Sequence, residues 1–412
     1  NYNELKIELE SRYGRINWVS KTDTEVIIEG FSREGVNFLD KLNGIFSLVI
    51  YDSHEKLLYV LRDPLGIKPV FFVEYLGSVI FCSELQGLSA TNEIKLTLRL
   101  DSLAAQLAFM YVPEPYTLYN EIKKLKPGTC FVYKKGVLVS SKPLFSHLHS
   151  RLTFSNEDEI VSELKHLFSK AVDRQLMADV PVSLFLSGGL DSSAVSLEAV
   201  KKGANIRDAY TIAFSKEDQR LDAQSDDLHY ARLMAEHLNL KLEVIMADNN
   251  MLSLLPEIIQ YMEDGFTDPA AINTYLMCAE ARKNGVKVIL SGQGADEYLG
   301  GYRRYLAEKL LAKIPSPLKS TISLFADILP NQIPGRMNAI NRRIKRFGKL
   351  SGKSSRDRIF GMYSWANYNE ISNLFLQEVD FGYKDDFFEL YELKSSNTII
   401  DTMMNIDHHY VL

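Results

Sequence analysis

Ser187-Gly188-Gly189-Leu190-Asp191-Ser192-Ser193 lies between two apolar runs, Val182-Ser183-Leu184-Phe185-Leu186 and Ala194-Val195-Ser196-Leu197-Glu198-Ala199-Val200. The first run reads as a buried strand and the second as a buried helix. A glycine pair flanked by hydroxyls at a strand-to-helix turn builds an anion site. The glycines let the backbone approach phosphate oxygens, and the helix N-terminus aims N–H groups and positive partial charge at them. Ser187, Ser192 and Ser193 add hydroxyl donors. Asp191 repels phosphate, so its chemistry suits Mg²⁺ held on the far side of the phosphates. No Lys follows the glycines, which sets this loop apart from GxxxxGK[ST].

A second loop repeats the logic. Ser291-Gly292-Gln293-Gly294-Ala295-Asp296-Glu297 follows the apolar run Val286-Lys287-Val288-Ile289-Leu290. In open parallel sheets, ligands collect beyond the C-terminal ends of the strands. The two loops are therefore expected to meet around one nucleotide, with Asp191 and Asp296 sharing Mg²⁺ over its phosphates. Gly300-Gly301-Tyr302-Arg303-Arg304 follows closely, and its arginines are expected to face the phosphates or the substrate.

Working outward, residues from about 155 alternate between strand and helix patterns, which implies a parallel sheet flanked by helices. Helices are predicted at 156–177, 226–238 and 270–284, and strands at 210–214 and 242–245. In the helix at 226–238, Tyr230, Leu233, Met234 and Leu238 share one face. From 305 onward the chain reads as helical, punctuated by Pro315, Pro317, Pro330 and Pro334. The N-terminal stretch has a different texture. Runs at 45–51 and 57–61, 70–73 and 79–82, and 130–133 and 136–139 read as three hairpins. A helix at 101–111 is predicted among them, with Asp101 as its N-cap. Two domains follow, 1–150 and 151–412.

The 412 residues are 46% hydrophobic and 24% charged, with a formal net charge of −6. That balance argues against a general nucleic-acid binder. The cluster Arg342, Arg343, Lys345, Arg346 and Lys349 reads as a solvated helix face. Cys82, Cys130 and Cys278 lack CxxC spacing and read as buried free thiols in a reducing compartment, which places the chain in the cytoplasm. No apolar run reaches the roughly 18 residues of a membrane span.

The first loop resembles the pyrophosphate loop of ATP pyrophosphatases, which split ATP between its α- and β-phosphates. Taken with the second loop, it resembles the synthetase domain of glutamine-dependent asparagine synthetases. The N-terminal half carries further segments similar to that family: Thr22-Asp23-Thr24-Glu25-Val26, Leu42-Asn43-Gly44-Ile45-Phe46, Arg62 to Pro69, Cys82-Ser83-Glu84-Leu85, Tyr111-Val112-Pro113 and Leu125-Lys126-Pro127-Gly128. Phe266-Thr267-Asp268-Pro269-Ala270 continues the match in the second half.

The resemblance implies a truncated Ntn-type α/β/β/α sandwich followed by a parallel-sheet PP-loop synthetase domain with a helical C-terminal part. It implies an ATP- and Mg²⁺-dependent ligase that adenylates a carboxylate, foremost the aspartate side chain, and amidates it with ammonia from glutamine. A homodimer is compatible with it. By the same resemblance, Asp23 binds the glutamine α-amino group, with a helix N-cap as the plainer reading of that residue. Phe185, Leu186 and Ile212 surround the adenosine, with strand core as the plainer reading. Ser187 to Ser193 and Ser291, Gly292, Gln293 and Gly294 hold the phosphates.

Four departures bear on the chemistry. The family's N-terminal Cys nucleophile has no counterpart here, since Cys82 and Cys130 fall in strand patterns and Cys278 in a helix pattern. The segment 1–412 is accordingly expected to lack glutaminase activity. The family's lysine-bearing segment after the equivalent of Leu412 is also expected to lie outside it. Gln293 stands where some members carry a base-like Glu, and its amide takes no proton at neutral pH. Gln293 is therefore expected to act as a neutral donor to phosphate. Glu263-Asp264-Gly265 also departs from the family pattern. Both changes keep other acceptors open, such as a surface-polysaccharide precursor or a β-lactam-type ring closure. A nucleotide-binding regulator without turnover is the alternative from another class.

Overall fold

The computed structural model describes residues 1–91, 93–145, 153–214, 227–330, 337–366, 368–376, 379 and 398–410. These form two compact units: residues 1–99 with 114–156, and residues 100–113 with 157–412.

The first unit holds two antiparallel sheets. One has the order β1-β2-β6-β7, from Ser47–Asp52, Leu57–Arg62, Thr129–Lys134 and Val137–Pro143. The other has the order β4-β3-β5, from Ser78–Cys82, Phe71–Tyr75 and Lys123–Lys124. The period-2 alternation of strands sorts their side chains into layers. Leu57, Tyr59 and Leu61 of β2, with Cys130 and Val132 of β6, face the helices Tyr2–Tyr13 and Asp23–Glu34. Leu58 and Val60, with Phe131, turn the other way and meet Val70, Phe81 and Leu125. Across this seam Phe72 meets Phe131 edge-on at 5.6 Å and Phe81 meets Tyr133 at 5.5 Å, contacts worth about 0.5–1.5 kcal/mol each beyond area burial. Phe71 and Val73 face outward onto Leu85 and Leu88 of the short helix Leu85–Ser89. The layering is α/β/β/α, as the resemblance implied.

The segment Arg62 to Lys68 is an architectural corner. Asp63, fully buried, accepts from the backbone N–H groups of Leu65, Ile67 and Lys68 at 3.0–3.1 Å. Arg62 donates to the carbonyls of Lys68 (2.9 Å) and Leu125 (2.7 Å) and to Glu114 (2.6 Å).

The second unit is built on a parallel sheet of order β10-β9-β8-β11, from Leu242–Met246, Ile206–Ala213, Val182–Phe185 and Val288–Leu290. Both faces are covered. Val182, Leu184 and Leu186 meet Val172, Ala199, Ala231 and Ala235 on one side, and Phe185, Tyr210 and Ile289 meet Ala281 on the other. A helical cluster around Tyr305, Ile359, Tyr363, Met403 and Ile406 completes the unit.

Several expectations are corrected. The helix predicted at 101–111 spans Leu100–Phe109, so Asp101 lies in its first turn rather than at its N-cap. It packs through Ala104, Ala105, Ala108 and Phe109 into the helical cluster of the second unit, not with the strands that flank it in sequence. The predicted boundary at 150 falls outside the described residues, as do Pro334 and Val411-Leu412. In the helix Asp227–His237, Tyr230 and Leu233 are exposed, while Met234 packs beside the buried Ala231 and Ala235. The glycine loop after β8 passes against the start of this helix, where a Cβ on Gly188 would lie 2.8 Å from the Ala231 nitrogen.

Of the three thiols only Cys130 is buried; Cys82 is intermediate and Cys278 exposed. Burial pushes the Cys130 thiol up to about 11. A brief pulse of iodoacetamide at neutral pH should therefore modify Cys278 and leave Cys130 intact in the folded protein. Peptide mapping checks this, and labelling of Cys130 before unfolding would contradict its packing.

Candidate active site

The sheet reverses its direction of growth at β8. Strands β9 and β10 add on one side of it, and β11 returns to the other side. The two anion loops leave the C-terminal ends of these neighbours, β8 and β11, which is where open parallel sheets place ligands.

Their contact is close. A Cβ on Gly292 would lie 2.6 Å from the backbone nitrogen of Ser192, so the second loop crosses the helix start of the first with room for hydrogen only. The first loop is tied internally. The Ser192 hydroxyl accepts from the Ser187 N–H at 3.2 Å, shares a hydrogen bond with the Ser187 hydroxyl at 3.0 Å and donates to the Gly189 carbonyl at 3.2 Å. Ser192 is buried, and its hydroxyl fixes the shape of the loop through these three bonds. Ser187 and Gly189 are exposed, as are Ser291 and Gln293, while Gly188, Ser193 and Gly294 are half-buried.

Three carboxylates converge beside the loops. Burial pushes the Asp191 carboxyl above the usual carboxylate range, and the charges of Asp296 and Glu297 push it the same way. Asp296 and Glu297 open the short helix Ala295–Leu299, whose preceding residue Gly294 is left-handed at φ +101°. Glu297 is buried and accepts a hydrogen bond from the Tyr302 hydroxyl. Among the described residues no group of three or more His, Cys, Asp or Glu forms a self-sufficient metal cage. An aspartate pair that repels itself fits a hard dication that takes its remaining oxygens from phosphates and water.

Next to the first loop is a cavity of about 150 Å³ lined by Phe185, Leu186, Tyr210, Ile212, Phe214 and Met277 among others. Phe185, Leu186 and Ile212 thus line the cavity, and Leu186 is also sheet core. Its apolar walls and flat aromatic content suit a planar ring.

Arg304 does not face this cluster. It pairs with the fully buried Asp407 and lies over the rings of Tyr302 (3.8 Å) and Tyr363 (4.6 Å). Sequence reasoning missed this network, because Asp407 stands 103 residues further along.

In the first unit, Asp23 is the first residue of the helix Asp23–Glu34, and Thr22 holds the cap position. Its exposed carboxylate accepts from the Thr24 N–H at 2.8 Å. The neighbouring Glu25 fixes the turn before the helix, accepting from the N–H groups of Val19 (2.7 Å) and Ser20 (2.6 Å), and these bonds lower its carboxyl.

One unit is thus an α/β/β/α sandwich, and the other carries two glycine-bearing loops at the C-terminal ends of neighbouring parallel strands. A family model described as asparagine synthase matches residues 163–409, and one described as a glutamine amidotransferase domain matches residues 1–144. Asparagine synthetase (glutamine-hydrolyzing) 1 of Bacillus subtilis is 31% identical over 341 residues, covering 82% of this chain and 52% of that protein. A putative asparagine synthetase (glutamine-hydrolyzing) of Mycobacterium tuberculosis is 31% identical over 350 residues, with 82% and 52% covered. Amidase chry2 of Gibberella zeae is 24% identical over 328 residues, with 75% and 47% covered. The chain belongs to the asparagine synthase family. It spans about half the length of the curated relatives it matches. Among the described residues no helix is long and apolar enough to cross a membrane.

Proposed function

We propose that the second unit binds ATP and uses it to adenylate a carboxylate, foremost the side chain of aspartate, which ammonia derived from glutamine then amidates. The observation that carries this reading is the crossing of the two loops at Gly292 and Ser192, with Asp191, Asp296 and Glu297 gathered beside an apolar cavity. The adenine ring enters the cavity between Phe185, Leu186 and Ile212. The phosphates lie on Ser187 to Ser193 and on Ser291 to Gly294, with Gln293 as a neutral donor. Asp191 and Asp296 would hold Mg²⁺, which when bound offsets negative charge on the departing pyrophosphate. An acceptor oxygen displaces pyrophosphate from the α-phosphorus. Ammonia then attacks the acyl carbon, and AMP leaves with the former carboxylate oxygen. In the first unit, Asp23 supplies the charge that recognises the glutamine α-amino group. The names of the relatives support glutamine as nitrogen donor and aspartate as acceptor.

Asp191→Asn removes one charged ligand while keeping the size of the side chain. Pyrophosphate release with ATP, Mg²⁺, aspartate and an ammonium salt should fall by about 100-fold or more. Release near the wild-type rate would make Asp191 a turn residue and remove the nucleotide from this site.

A further inference from the structure

Residues Glu297 to Tyr305 leave the second anion loop and are fastened at both ends to the helix Ile399–Tyr410. At the loop end, the His408 Nε2–H donates to the Glu297 carbonyl at 3.1 Å, and the His408 ring stacks on Tyr298 with centroids 4.2 Å apart. At the far end, Arg304 grips Asp407 through Nε at 3.2 Å and through Nη2, while the hydroxyls of Tyr305 and Tyr363 donate to the same carboxylate. Between these ends, the Tyr302 hydroxyl donates to the Glu297 carboxylate, and the Arg304 guanidinium covers the Tyr302 ring. Resting on the nucleotide reading above, we propose that Tyr302, Arg304 and Asp407 are positioning residues, which act through Glu297 to hold Asp296 and the second anion loop in place.

The order of dependence follows from burial. Glu297 is 1% exposed, and a buried carboxylate adopts the place its donors dictate. Tyr302 is such a donor. Its ring is located by Arg304, and Arg304 by Asp407, which is 0% exposed among the core residues Met403 and Ile406. Arginine suits the middle of this chain because one planar group can stack on a ring and fork onto a carboxylate at once, which lysine cannot do. The Gly301 N–H also donates to the Asp296 carbonyl at 3.0 Å, so the short helix closes directly onto the segment that Tyr302 anchors. A purely structural role would tie these residues to overall stability. A positioning role ties them to the order of residues 291–301.

Tyr302→Phe separates the two, since the ring and its stacking on Arg304 stay while the donor to Glu297 is lost. Three readings are taken on the purified protein and on Tyr302→Phe, Arg304→Lys and Asp407→Asn: the dissociation constant of MgATP, the thermal midpoint, and amide exchange across 291–301. Tyr302→Phe should weaken MgATP by roughly tenfold and speed exchange across 291–301 with the midpoint nearly unchanged. Arg304→Lys should move both readings the same way, and the double variant should be no worse than the more damaged single, because the residues act in series. Wild-type exchange across 291–301 in both Tyr302→Phe and Arg304→Lys overturns the positioning proposal whether or not nucleotide binds. Failure of the wild-type protein to bind MgATP overturns the nucleotide reading instead, and the two failures are read from different measurements. Should Asp407→Asn not fold, the two milder variants decide the question.

Discussion

Gly188→Ala should unfold the first anion loop and abolish nucleotide binding. Gly188 has φ +83°, where a side chain is strained by about 1–3 kcal/mol. A Cβ there would also lie 2.8 Å from the Ala231 nitrogen and closer still to the Asp227 carbonyl oxygen. Both atoms are backbone of the helix Asp227–His237, so no side-chain rotation relieves the clash. Strain and overpacking together should cost about 3 kcal/mol or more. The loop must move, and MgATP affinity should drop by about 100-fold or more, since the Ser187, Ser192 and Gly189 hydrogen bonds depend on the same turn. Gly189→Ala is the matched control. Its φ is −70°, and the nearest atom to its Cβ is the Ser187 Oγ at 3.3 Å, a hydroxyl that can rotate. That variant should stay within about 1 kcal/mol of wild type. Denaturant midpoints and nucleotide titrations on the pair check the argument. Equal behaviour of the two variants would mean that the helix Asp227–His237 does not press on the loop.

This asymmetry shows what a sequence can and cannot disclose. Glycines between a strand pattern and a helix pattern announce close backbone approach, and the tight crossing at Gly188 and Gly292 was legible for that reason. Which glycine is indispensable was not legible, because the atoms that crowd Gly188 belong to a helix some forty residues further on. The same limit hid the packing face of that helix. Tyr230 and Leu233 look like core by their chemistry, but they are exposed, and Ala231, Ala235 and Met234 make the packing face. The helix Leu100–Phe109 is apolar enough to announce burial, yet nothing local says that it is buried against Tyr305 and Ile359 rather than against its neighbours in sequence. Arg304 reads as a phosphate ligand by type and position. Its actual partner, Asp407, could be found only by knowing that the helix Ile399–Tyr410 returns beside it.

A second large effect is expected far from the loops. Arg358 and Glu308 form a two-pronged ion pair, with Nε to Oε2 at 2.7 Å and Nη2 to Oε1 at 2.6 Å, between side chains that are 5% and 2% exposed. Arg358→Met should destabilise the second unit by about 3–5 kcal/mol, because both Glu308 oxygens lose their donors while remaining out of water. Most of that cost is the stranded charge rather than the worth of the pair. Adding Glu308→Leu to Arg358→Met should therefore recover much of the loss, since an apolar pair of similar volume carries no desolvation penalty. The pair joins the helix Arg303–Ala312 to the helix Ser355–Tyr363, which carry Tyr305 and Tyr363, two of the hydroxyl donors to Asp407. The single variant should thus loosen the surroundings of Arg304 as well, and MgATP binding should weaken with it. The double variant should regain stability and binding together. A double variant as unstable as Arg358→Met would show that the ion pair itself, and not the relief of a buried charge, holds these two helices in register.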